Sequence, residues 1–136
     1  MWILIQDTSP AKLLTRIRGP VTGARMTHPE RIRMEVTDAR GGLWRLATWD
    51  AEYSPSDPEM LTGKAVVDTS LDDLSEVLTV SFSDGTRFIV TPTPCEDADS
   101  EHWELFTPEG LVLTHGSKGQ WQLARGDGTP GVLSPA

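Results

Sequence analysis

The side chains best suited to chemistry are concentrated in Cys95-Glu96-Asp97-Ala98-Asp99-Ser100-Glu101-His102. Asp97, Asp99 and Glu101 alternate as the oxygen ligands of a calcium loop do. Counted from Asp97, however, the sixth and twelfth places hold His102 and Pro108, where an EF-hand requires a glycine for its turn and a bidentate glutamate. A structural zinc site needs four nitrogen or sulfur ligands at suitable spacing. Cys95 and His102 are close in sequence, but His28 and His115 are remote. No Gly-x-Ser-x-Gly elbow is present, and no glycine-rich phosphate loop follows a strand. The residues give no catalytic, metal-binding or cofactor-binding set, so the expectation is a non-enzymatic protein without a cofactor.

The same segment reads differently as a surface. Glu96, Asp97, Asp99, Glu101 and Glu104 place five carboxylates within nine residues, and nothing beside them in sequence neutralises the charge. They are expected to face a basic protein partner, whose approach turns their mutual repulsion into attraction and whose encounter they steer. The formal net charge is −8. Residues 1–48 carry eight basic and four acidic side chains, and residues 49–136 carry four basic and sixteen acidic ones, so the two parts stand at +4 and −12. This balance excludes a general nucleic-acid binder. It leaves room for a homo-oligomer in which the basic part of one copy meets the acidic part of another, and for a small-ligand pocket in a rolled sheet. Arg31 and Arg33 compete for the acidic loop within the chain, but an exposed ion pair contributes only about 0–1 kcal/mol.

The elements that must position these residues are strands. Leu78, Val80 and Phe82 alternate with polar neighbours, the two-residue period of a half-buried strand. Asp84-Gly85 turns the chain, and Phe88 and Val90 continue the apolar phase on the return. Trp103 and Leu105 start another strand, Thr107-Pro108-Glu109-Gly110 makes a turn, and Leu111 and Leu113 go back. The stretch 77–113 reads as a continuous antiparallel meander. Earlier, Ile32, Met34 and Val36 point inward, with Trp44 and Leu46 opposite them after a turn at 38–42. Strands are also expected at 2–6, 21–26, 64–68 and 120–124. Ser9 and Pro10 suit the start of one helical turn. Residues 51–62 read as a loop with a helical turn at 58–61, and 69–75 as a short helix capped by Ser70.

About ten short strands with regular turn signals imply an all-β protein, an antiparallel β-sandwich or a rolled, barrel-like sheet with at most one or two short helical turns. The length fits one domain over residues 1–125 with a tail at 126–136. Residues 31–63 and 77–110 align as hairpin units, with Ile32, Met34, Val36 and Asp38 over Leu78, Val80, Phe82 and Asp84. Duplication and the common chemistry of two Asp…Gly hairpins both account for that alignment.

One cysteine allows no internal disulfide, and the first residues lack a signal-peptide pattern or a membrane-length apolar run, so a cytoplasmic location is expected. Phe82-Ser-Asp-Gly85 and Trp103-Glu-Leu-Phe-Thr-Pro-Glu-Gly110, about a quarter of the chain, resemble segments of small bacterial β-domains of the immunity and antitoxin-like kind. That resemblance implies a role in which acidic side chains oppose a basic toxin surface.

Overall fold

The computed structural model describes residues 9–28, 31–48, 51–54, 57–72, 74–92, 101–116 and 120–125. The expected strand at 2–6, the acidic residues Glu96, Asp97 and Asp99, Cys95, Trp49 and the tail at 126–136 lie outside them. The chain is all-β. A helix α1 at Pro10–Leu14 precedes β1 (Gly19–His28), β2 (Arg31–Thr37), β3 (Leu43–Thr48) and β4 (Ala51–Ser54). A 3-10 turn at Pro58–Leu61 then precedes β5 (Ala65–Leu71), β6 (Leu78–Phe82), β7 (Arg87–Pro92), β8 (Glu101–Phe106), β9 (Leu111–Gly116) and β10 (Trp121–Arg125).

The strands form one antiparallel sheet in the order β10-β9-β8-β3-β2-β1-β5-β6-β7-β4. It is not closed into a barrel. Its six strands from β10 to β1 are the long half, and β5, β6, β7 and β4 are the short half. The halves meet at β1, whose first residues, Gly19 and Pro20, pair with Val66 and Ala65 of β5. From Val21 onward, β1 pairs with β2. Apart from the outer β10-β9 hairpin, the strand order reads the same from either end if β1 exchanges with β5, β2 with β6, β3 with β7 and β4 with β8. Each half also carries a bulge at a matching place, after the pair Val21–Val36 and after the pair Val66–Phe82.

The sheet rolls so that both halves contribute to one core. Ile32, Met34, Val36, Trp44, Leu46, Trp103, Leu105 and Leu113 come from the long half, and Val66, Leu78, Val80, Phe82, Phe88 and Val90 from the short half. Leu13, Leu14 and Leu61, from α1 and the 3-10 turn, plug the same core. The alternation in β2 and β6 gives its buried residues on the expected face. The hairpin turns at 38–42, 82–86 and 107–111 share one pattern. A backbone bond closes each loop, and Gly41, Gly85 or Gly110 takes the left-handed conformation that other residues resist.

Four sequence expectations are corrected. Residues 77–113 are not one meander: after β7 the chain crosses to the long half, where β8 pairs with β3. Periodicity marks a strand but carries no information on its partner. Ala51–Ser54 is a strand on the free side of β7 rather than loop, because pairing to Ile89–Pro92 overrides its poor local propensity. β5 continues through Leu71 where a short helix was expected. Thr69, Ser70 and Leu71 pair with β6, and the Asp72 side chain caps the following turn by accepting from the backbone N–H groups of Leu74 and Ser75. β1 runs from Gly19 to His28, longer at both ends than the strand expected at 21–26.

Gly19 is the tightest point of the seam. Its φ of +134° is unfavourable for any side chain, and a Cβ there would overlap the Thr37 carbonyl oxygen, with the Thr37 carbon 3.2 Å away. Gly23, in the same strand, has open space around it. Gly19→Ala should therefore lose at least about 1–3 kcal/mol from backbone strain alone, whereas Gly23→Ala should stay within about 0.5 kcal/mol of wild type. Urea unfolding of both variants checks this, and equal midpoints would show that the seam is not fixed by Gly19. Phe82→Ala, at the core end of β6, should lose about 3–5 kcal/mol.

Candidate functional site

Three groups of residues stand out, and they occupy different parts of the sheet. The first is the outer face of the long half. Register places Arg25, Arg33, Ala47, Glu104, Thr114 and Gln122 in one row across β1, β2, β3, β8, β9 and β10. Arg25 and Arg33 are directly opposite, an arrangement of like charges that costs stability. In the adjacent row Glu35 pairs with Arg45, Nε to Oε1 at 3.5 Å. Of the five carboxylates expected to face a partner, the structure thus places Glu104, half-buried on the face that carries Arg25, Arg33 and the Glu35–Arg45 pair. Glu101 starts β8, and its side chain lies outside the described residues. A cavity of about 400 Å³ opens beside this face, lined by Gly23, Arg25, Arg33, Glu35 and Glu59.

The second group sits where the chain leaving α1, the 38–42 turn and the 107–110 turn converge. Asp38 Oδ1 accepts from the backbone N–H groups of Arg40 at 2.9 Å and Gly42 at 2.8 Å, and Oδ2 accepts from Trp44 Nε1 at 2.9 Å. The Trp44 indole hydrogen bond, and after it that from Gly42, holds the Asp38 carboxyl below its ordinary range. The Arg16 guanidinium lies 5.0 Å over the Trp44 ring and pairs with Glu109. Burial pushes the Glu109 carboxyl up, but the hydrogen bonds from Arg16, the Glu109 backbone and Thr107, with the Arg16 charge, together outweigh it and the net direction is down. Pro108 packs against Gly42, where a Cβ would come within 2.9 Å of its ring. Trp44 itself is buried, as its inward phase requires.

The third group is a polar cluster in the interior. Trp103 and His115 are directly opposite in the β8–β9 ladder and stack with parallel rings 5.0 Å apart. His102, at a bulge in β8, is buried beside them with its ring 6.3 Å from that of His115. Trp103 Nε1, His115 Nδ1 and Glu76 Oε1 are all buried and make no hydrogen bond among the described residues. Glu76 also has a φ of +61°, a strained conformation for a residue with a side chain. Burial lowers the His115 pKa, the Glu76 charge raises it, the neighbouring His102 lowers it, and the net direction is down. Among the described residues no group of three or more His, Cys, Asp or Glu could hold a metal ion.

The sequence reading missed the second and third groups. His115 was legible, since it continues the inward phase of Leu111 and Leu113. The group of Arg16, Asp38, Trp44 and Glu109 had no signal, because its members belong to three segments whose convergence depends on strand order. Comparison with protein-family models, curated proteins and solved structures gave no match.

The interior histidine sets a pH dependence. Because its folded pKa is below the ordinary 6.5, the unfolded chain binds the proton first as pH falls. Stability is then full above about pH 6.5 and declines as pH drops through that value toward the lower folded one. The depressed carboxyls of Asp38, Asp72, Asp84 and Glu109 add stability that is lost only at more acid pH, below about 4. Denaturant midpoints at pH 7.5 and 5.5 should differ in the wild type and converge in His115→Phe. Equal midpoints in the wild type would refute the assignment.

Proposed function

We propose that the protein is a non-enzymatic, acidic protein-binding module that engages a basic protein partner, as an immunity or antitoxin-like protein does. The observation that carries this reading is the separation of charge between the two halves of the sheet. Between Glu52 and Pro92 the described residues include seven acidic side chains and two basic ones, and these residues build the short half with its 3-10 turn. Glu52, Asp57, Glu59, Asp68 and Asp72 are exposed, and none has an ion-pair partner among the described residues. Between Pro10 and Thr48 the described residues include eight basic side chains and two acidic ones, on α1, β1, β2, β3 and the segments joining them. Acidic side chains that are not neutralised at home raise the local concentration of a basic partner and its rate of encounter. Glu96, Asp97 and Asp99, outside the described residues, and Glu101 and Glu104 of β8 bring five further carboxylates to the chain.

The opposed charges of the two halves favour a second reading, a homo-oligomer in which the Arg25–Arg33 face of one copy meets the acidic half of another. Sedimentation at low and high salt separates the two readings, since only self-association makes the mass of the pure protein salt-dependent. For the first reading, changing Asp97, Asp99 and Glu101 to Ser should leave the melting temperature near wild type and give weaker, less salt-sensitive capture of a partner from lysate. Changing Glu52 and Asp68 to Ser tests the short half in the same way. Capture unaltered in both sets would place the partner surface elsewhere, and a sharp fall in melting temperature would make the loop structural.

A further inference from the structure

We propose that the cleft beside Trp44 binds a phosphate-bearing ligand through Arg16, Arg18 and Arg40. The cleft has a volume of about 390 Å³, and its walls include these three arginines with Asp38 and Trp44. The arginines come from two segments: Arg16 and Arg18 from the chain between α1 and β1, and Arg40 from the tip of the β2–β3 turn. Arg16 is fixed in place by stacking on Trp44 and by its pair with Glu109. Arg18 has no hydrogen-bond or ion-pair partner among the described residues, and the Arg40 side chain makes no ion pair there. The one carboxylate in the wall, Asp38, already accepts three N–H bonds, from Arg40, Gly42 and Trp44.

The other half of the sheet provides a contrast. At the 82–86 turn, Asp84 takes the Lys64 ammonium directly, and the two charges close on each other. At the 38–42 turn the aspartate accepts from an indole and the backbone with the Arg40 charge nearby, so Arg18 and Arg40 border an open cavity without an ion pair among the described residues, beside the Arg16–Glu109 pair. Guanidiniums held around one space repel one another, and an anion entering it removes that cost. A carboxylate is planar and suits a single guanidinium fork, whereas a tetrahedral phosphate presents oxygens in several directions and suits forks arriving from two segments. The chain carries −8 overall, so its net charge does not retain an anion and the hold has to come from the local arrangement of the cleft. The inference stands apart from the protein-binding reading and does not need it.

The test is a titration of the full chain with inorganic phosphate, at constant ionic strength against chloride, followed by NMR at the Trp44 Nε1–H and the arginine Nε–H signals. Phosphoserine and acetate are run as parallel ligands. Saturable shifts at Trp44 and the three arginines with phosphate and phosphoserine, and none with acetate, are expected. The exposed pair Arg18→Gln and Arg40→Gln should weaken the affinity at least tenfold with an unchanged melting temperature. If the double variant melts early, each single variant should still weaken binding. Shifts equal to those in chloride, binding that survives the substitutions, or acetate binding as tightly as phosphate would each overturn the proposal.

Discussion

The fold depends on one strand serving two neighbours. β1 pairs first with β5 and then with β2, and that change of partner joins the halves of the sheet. The geometry is permitted because residue 19 has no side chain, so the start of β1 can pass against the carbonyl end of β2 at Thr37. Val21 then extends the seam by donating its N–H to the Lys64 carbonyl and accepting from Gly63. A hydrogen-bonded seam with no room for a Cβ is a stiff joint. It fixes the angle at which the two apolar faces meet, and with it the shape of the core.

Around that seam the halves exchange strands. β4 follows β3 in sequence but lies beside β7, and β8 follows β7 but lies beside β3. Neither half is complete without a strand contributed by the other, so the core assembles from contacts that are long-range in sequence. Such pairings cost loop-closure entropy before they return any burial, which makes folding slow relative to a local meander. The exchange also decides the surface. The Arg-rich early strands and the acid-rich middle of the chain become different halves of one sheet, and a charge difference along the sequence becomes a charge difference in space.

The two buried tryptophans show what that assembly does with polar groups. The indole N–H of Trp44 meets Asp38 from its own hairpin, a bond of short sequence range that forms with the turn. Trp103 and His115 stack across a ladder, and the indole Nε1 and the imidazole Nδ1 find no hydrogen-bond partner among the described residues. A buried polar atom left unsatisfied costs about 1–3 kcal/mol. The same cluster includes Glu76, a glutamate with a φ of +61°, held beside the buried histidine.

The sequence by itself determined the all-β class, the inward phase of the main strands and the chemistry of the turns. These follow from local physics: a two-residue period sorts Leu78, Val80 and Phe82 from their neighbours, and glycine at 41, 85 and 110 accepts a conformation that other residues resist. Only the tertiary structure decided that β8 joins β3 rather than β7, that Ala51–Ser54 is a strand, and that Arg16, Arg18 and Arg40 surround one cleft. Strand partners are chosen by the burial of whole faces and by the seam at Gly19, which act between residues far apart in the chain. A charged residue on the outer face of a strand looks the same in sequence whichever neighbour it will have, so the arginine cleft came into view only with the strand order.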